Sequence, residues 1–104
     1  MYYEIRTYRI KSGAMTAFLK VVEEEGIELQ KRHLGELVGY FISEIGTLNE
    51  IVYIWAYPSL DERESRRQRL AKEPAWQAFM PKIQVLLDSA ESKIMKPASF
   101  SPLK

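Results

Sequence analysis

Hydrophobic and polar residues alternate over Tyr2–Ile10. Tyr3, Ile5 and Thr7 fall on one side, and Tyr2, Glu4, Arg6, Tyr8 and Ile10 on the other. Successive strand side chains point to opposite faces, so the pattern predicts a β-strand. Lys11-Ser12-Gly13 interrupts it, and Ser12 is a suitable cap for a helix opening near Gly13. Met15, Phe18, Leu19, Val22, Leu29 and His33 then recur at the 3.6-residue period, with Gly26 among them. Gly35 is placed to end that helix with a positive φ.

Two further strands are predicted at Val38–Ile45 and Glu50–Tyr57, joined by the turn Gly46-Thr47-Leu48-Asn49. In the second of these, both faces are apolar. Ile51, Tyr53, Trp55 and Tyr57 share one, while Val52, Ile54 and Ala56 share the other. An antiparallel sheet with one wet face would not show this. The small aliphatic face is expected to take the helices and the aromatic face to meet a second copy of the sheet. Beyond Pro58, Ser59 followed by Glu62 forms a capping-box pattern for a helix reaching about Ala71. Pro74 suits the first turn of another helix, with Trp76, Phe79, Met80, Ile83, Leu86 and Leu87 as its apolar stripe. Pro81 is expected to kink or restart that helix. A short last strand is expected at Ser92–Met95, before Pro97 and Pro102 exclude regular structure.

The element order predicts an α+β, ferredoxin-like β-α-β-β-α-β fold with a four-stranded antiparallel sheet, as a single domain over residues 1–104. Helices then cover one face only. Two open faces meeting about a two-fold axis make a dimeric α/β barrel, so a homodimer is expected.

Composition narrows the options. With 46% hydrophobic residues the chain can bury a core, and a formal charge of +1 gives no bulk attraction to nucleic acid or to a membrane. No cysteine is present, which removes disulfides, thiolate catalysis and cysteine metal sites. Met1–Arg6 lacks a basic segment leading into an apolar run, so no secretion signal is read, and a soluble, cytoplasmic protein is expected.

The chain also resembles the NIPSNAP-domain proteins of the dimeric α/β-barrel superfamily. The resemblance rests on Glu4-Ile5-Arg6-Thr7-Tyr8, His33, Gly39-Tyr40-Phe41 and the run Gly46–Tyr57. Ser59 with Arg63, and Pro74-Ala75-Trp76, complete it. It spans nearly the whole chain and implies the fold and the dimer. The superfamily contains cofactor-independent monooxygenases of quinone-like substrates, haem-degrading enzymes and members without known activity, so no one reaction follows from it.

Candidate chemistry concentrates on few residues. Glu4 and Arg6 lie two apart on one strand and share a face, which is assigned to the barrel interior. Arg6 is suited to an anionic or carbonyl oxygen of a ligand, and the alternative for the pair is a structural ion pair. His33, the single histidine, is the natural proton acceptor; alternatively it closes the helix against its last carbonyls. Tyr8, Tyr40, Tyr53, Trp55 and Tyr57 would line a cavity for a small, partly apolar organic molecule, or else form ordinary core. Glu44 is a secondary polar candidate beside Tyr40. Arg63, Arg66, Arg67 and Arg69 interleave with Asp61, Glu62, Glu64 and Glu73 and read as a solvated helix face, except that the stem of Arg63 packs on the sheet. No metal cluster and no cofactor is expected, although His33 alone suffices to ligate a haem. A non-catalytic dimer, with the aromatic face consumed by assembly, is the competing function.

Overall fold

The computed structural model describes all 104 residues, in the order β1 (Tyr2–Ile10), α1 (Met15–Val21), a π-helical turn (Val22–Gly26), α2 (Ile27–Leu34), β2 (Glu36–Ile42), β3 (Glu50–Tyr57), α3 (Leu60–Ala71), α4 (Pro74–Gln84) and β4 (Leu87–Met95). The four strands form one antiparallel sheet of order β2-β3-β1-β4, as expected of the ferredoxin-like topology.

The expected use of the two sheet faces is reversed. Ile51, Tyr53, Trp55 and Tyr57 lie beneath the helices, packed with Phe18, Val22, Leu34, Leu70, Phe79 and Ile83. Trp55 and Tyr57 are fully buried. Alternation establishes which residues share a face, but not which face receives the helices. The wide layer between sheet and helices is filled by the large rings. The flatter aliphatic face, with Ile5, Thr7, Val52 and Ile54, is left open. The aromatic face is therefore already consumed within one chain and is not an assembly surface.

Several boundaries differ from expectation for identifiable reasons. The first helix begins at Met15 without a side-chain cap, its N-cap position being Ala14, so Ser12 does not serve. Gly35 does end α2 with φ 98°, where a Cβ would also lie 2.6 Å from Arg66 Nη1. Arg66 Nη1 donates to the Leu34 carbonyl at 2.9 Å, satisfying one of the last free helix acceptors. β2 starts earlier and stops at Ile42, with a register shift between Leu37 and Gly39, so Glu44 sits in the following loop and is exposed. The Ser59 cap forms, its Oγ accepting from the Glu62 amide at 3.0 Å. The reciprocal half of the box does not, because the Glu62 carboxylate takes Arg66 Nε at 3.1 Å instead. Pro81 stays inside α4, and Leu87 opens β4, which is longer than expected.

Candidate functional site

β1 supplies Glu4, Arg6 and Tyr8 at alternate positions, so all three project under the helices. The register with β3 sets Glu4 opposite Trp55, Arg6 opposite Tyr53 and Tyr8 opposite Ile51. Glu4 and Arg6 thus face the helices rather than the inside of a sheet-to-sheet barrel.

Glu4 is fully buried and its carboxylate is saturated. Oε1 accepts from Arg63 Nε at 2.9 Å; Oε2 accepts from Arg6 Nη1 at 2.9 Å, Arg63 Nη2 at 3.1 Å and Ser92 Oγ at 2.6 Å. Arg67 Nη1 stands 3.8 Å from Oε1. Burial alone would raise the carboxyl's pKa, but hydrogen bonds from Arg63 and Ser92 and the charges of Arg67 and Arg6 pull it down to about 2. A buried carboxylate is tolerated only when paired and hydrogen-bonded in this way. One carboxylate serving three guanidinium groups leaves an excess of positive charge in the cluster.

Arg6 is the hinge between this cluster and an open space. Its Nε donates to the Tyr53 hydroxyl at 3.1 Å and its Nη2 to the Tyr8 hydroxyl at 3.0 Å. Burial opposes its charge, but Tyr53, Tyr8 and Glu4 outweigh it and hold the guanidinium ionised. Arginine has five N–H donors, and three are engaged, so two remain for another acceptor. Tyr40 stacks on Tyr53 with centroids 4.7 Å apart and planes 11° from parallel, and Tyr8 meets Tyr53 edge-on at 5.2 Å. Burial raises the pKa of Tyr40 and Tyr53 well above the ordinary phenol range, with Tyr8 adding to both. These hydroxyls remain protonated donors.

These groups border a narrow cavity of about 40 Å³ between sheet and helices, closed by Phe18, Val22, Trp76, Phe79, Met80 and Ile83 and also touched by Gln30 and Arg67. A wider apolar groove of about 340 Å³ lies beside it, lined by Leu19, Val22, Glu23, Ile27, Leu37, Tyr40 and Ile42. Val22 and Tyr40 belong to both walls.

The structure gathers only some of the sequence candidates. Arg6, Tyr8 and Tyr40 border the cavity; Glu4 lies behind Arg6 and fixes it. Trp55 does not border the space, and its buried Nε1 has no hydrogen-bond partner in the protein, nor does the Tyr57 hydroxyl. Burial and the nearby Glu4 charge raise the Tyr57 pKa, against the guanidinium of Arg67. His33 is elsewhere. Its Nε2 lies 2.9 Å from Glu73 Oε1, tying the end of α2 to the start of α4, and it lines none of the cavities. Helical periodicity put it on the inward stripe, but the π-helical turn shifts the phase of the residues beyond it. Haem ligation by His33 would first require that contact to break. Conversely, Arg67 belongs to the buried cluster and not to a solvated face. Its spacing of four from Arg63 puts both on one side of α3, which is the signal that identifies it.

The NIPSNAP family model matches residues 3–102. The chain belongs to the NIPSNAP family. A NipSnap homologue of Dictyostelium discoideum is 35% identical over 98 residues, covering 94% of this chain and 43% of its own length. The domain spans less than half the length of the curated relatives it matches. A crystal structure of a NIPSNAP family protein with unknown function from Agrobacterium tumefaciens is 67% identical, with a TM-score of 0.95, covering 100% of this chain and 94% of that one. An antibiotic biosynthesis monooxygenase shares the fold at a TM-score of 0.64 but only 16% identity, covering 94% of this chain and 99% of that one. The last likeness establishes architecture alone. No helix of this NIPSNAP domain is long and apolar enough to cross a membrane.

Proposed function

We propose that this NIPSNAP domain binds a small, partly apolar organic molecule in the space between sheet and helices, and that it does so as a homodimer joined through the open sheet faces. The observation that carries the reading is Arg6: a charged group with two free donors, held from behind by Glu4 and ringed by Tyr8, Tyr40, Tyr53 and aliphatic side chains. Binding sites combine such an apolar lining with a few fixed polar groups. The arrangement favours binding over proton transfer. Glu4 is ionised and saturated, Tyr40 and Tyr53 are held protonated, and His33 is engaged elsewhere.

The dimer reading draws support from the uncovered aliphatic face. Val38, Phe41 and Met95 join it as exposed apolar residues at its edges. The tail lies over part of this face: Pro97, Ser101 and Leu103 line a pocket with Tyr3, Ile5 and Ile54, and the Tyr3 hydroxyl donates to the Lys104 carbonyl at 3.3 Å. A contiguous apolar face of this kind marks an interaction surface.

Calorimetry with a panel of quinones, phenols and organic acids tests the binding reading. At least one compound should bind and should lose affinity in Arg6→Met. That variant leaves Glu4 still paired with Arg63 and Ser92, so the fold is retained. A panel without binders, or a binder indifferent to Arg6→Met, overturns it.

A further inference from the structure

Resting on the binding reading just given, we infer that the ligand class is an amphiphilic carboxylate, with its head between Arg6 and Arg67 and an unbranched aliphatic tail in the groove beyond Val22 and Tyr40. Three observations converge on it.

The first is charge. Glu4 is the only carboxylate in contact with three guanidinium groups, and Arg67 is the least tied of the three: it stands beside the Tyr57 hydroxyl, and its nearest carboxylate oxygen is 3.8 Å away. Arg6 has spare donors of its own. Both arginines border the same cavity. A carboxylate placed there answers the excess charge and takes the fork-shaped donors that guanidinium groups offer.

The second is size. At about 40 Å³ the inner space admits a head group and little more, since a single water needs roughly 10–15 Å³ by the same kind of measure. The rest of any organic ligand must occupy the groove. That groove is apolar apart from Glu23, which is exposed. An anionic head resting in the groove would meet Glu23 as a like charge, so the head-inward orientation is the favourable one.

The third is shape. Val22 and Tyr40 stand between the two spaces, and Tyr40 is stacked on Tyr53. An unbranched methylene chain is the slimmest organic link between the two spaces and disturbs the stack least. A fused or substituted ring would have to displace it.

The test is calorimetric titration with octanoate, octan-1-ol and 1-naphthol, each below its aggregation concentration, on the wild type, Arg67→Met and Ile42→Ser. Octanoate should bind at least about tenfold more tightly than octanol, the margin expected for hydrogen bonds to a charged group. Arg67→Met removes a partly exposed side chain and leaves Glu4 paired with Arg6, Arg63 and Ser92, so the fold persists; it should erase that margin and leave octanol unchanged. Ile42→Ser should weaken both aliphatic compounds. Octanol binding as tightly as octanoate, or octanoate indifferent to Arg67→Met, overturns the carboxylate and leaves the cavity reading standing. Naphthol binding in place of the aliphatic compounds overturns the tail assignment alone. Binding of none of the three, with a panel that also shows none, overturns both.

Discussion

Arg63 and Glu4, 59 positions apart in the chain, meet at two points: Nε on Oε1 at 2.9 Å and Nη2 on Oε2 at 3.1 Å. The contact fastens α3 to β1, an inner strand of the sheet. The hydrogen bond to Glu4 raises the already high pKa of Arg63, as burial partly opposes it. Because Arg6 donates to the same carboxylate, the pair also sets the orientation of the group that borders the cavity.

Glu4→Gln should therefore destabilise the protein by about 3–5 kcal/mol, since it leaves buried guanidinium groups without their counter-charge. The pH dependence has a defined sign. The folded carboxyl titrates at about 2, below its ordinary 4.5, so folding favours the ionised form. Its contribution is fully present above about pH 4.5 and is lost as the pH falls toward 2. Urea unfolding of wild type and Glu4→Gln from pH 2 to 7 should show the difference between them shrinking across that window. A constant difference would refute the assignment.

Gly26 closes the π-helical turn directly against Phe79. A Cβ there would lie 2.4 Å from Phe79 Cζ, so the buried ring would have to shift into the narrow cavity it borders. Gly26→Ala should cost about 1–3 kcal/mol through overpacking. Combining it with Phe79→Leu should give less than the sum of the two single costs, measured by a double-mutant cycle. Strict additivity would show that the two residues do not press on one another.

His33→Gln should leave ligand affinity unchanged, because the imidazole lines no cavity, while stability falls by no more than about 1 kcal/mol. Calorimetry and urea unfolding on one preparation measure both. A loss of binding with stability intact would return His33 to the site.

The open sheet face offers a direct test of assembly. Sedimentation of the wild type at micromolar concentration should give a dimer, whose interface buries more than about 2,000 Å² in total. Ile54→Glu, on the open face, should give a folded monomer. A wild-type monomer, or a dimer indifferent to Ile54→Glu, would place the interface elsewhere or abolish it.

How much of this was readable in the chain depends on which signal each element leaves. β1 and β3 alternate strongly, and Ser59 and Pro74 mark their helices, so the topology follows from residue order. β4 was mostly invisible because Asp88–Lys93 belongs to an edge strand that is largely exposed and carries little apolar pattern. The reversal of the faces had no local signal at all. When both sides of Ile51–Tyr57 are apolar, only the packing of whole helices decides between them. That Arg6 and Tyr8 share one face is legible because strand alternation is fixed, and the same alternation on β2 brings Tyr40 to the cavity they border. His33 leaves the inward stripe because the 3.6-residue period does not run through the π-helical turn before it.

That segment has a consequence for how this domain tolerates change. Glu23, Glu24 and Glu25 are all exposed within the π-helical turn, so replacing any one of them by another polar residue disturbs little. Deleting one is also absorbed. A π-helical turn holds about one residue more than the α-helical turn it replaces, so the loss lets the segment close to the α-helical repeat while His33 and Leu34 keep their phase against Glu73 and the core. An added residue meets no such slack: it would turn every later position of α2 by about 100° and advance it by about 1.5 Å. The stretch is a reserve in one direction only, able to give up a residue but not to take one in.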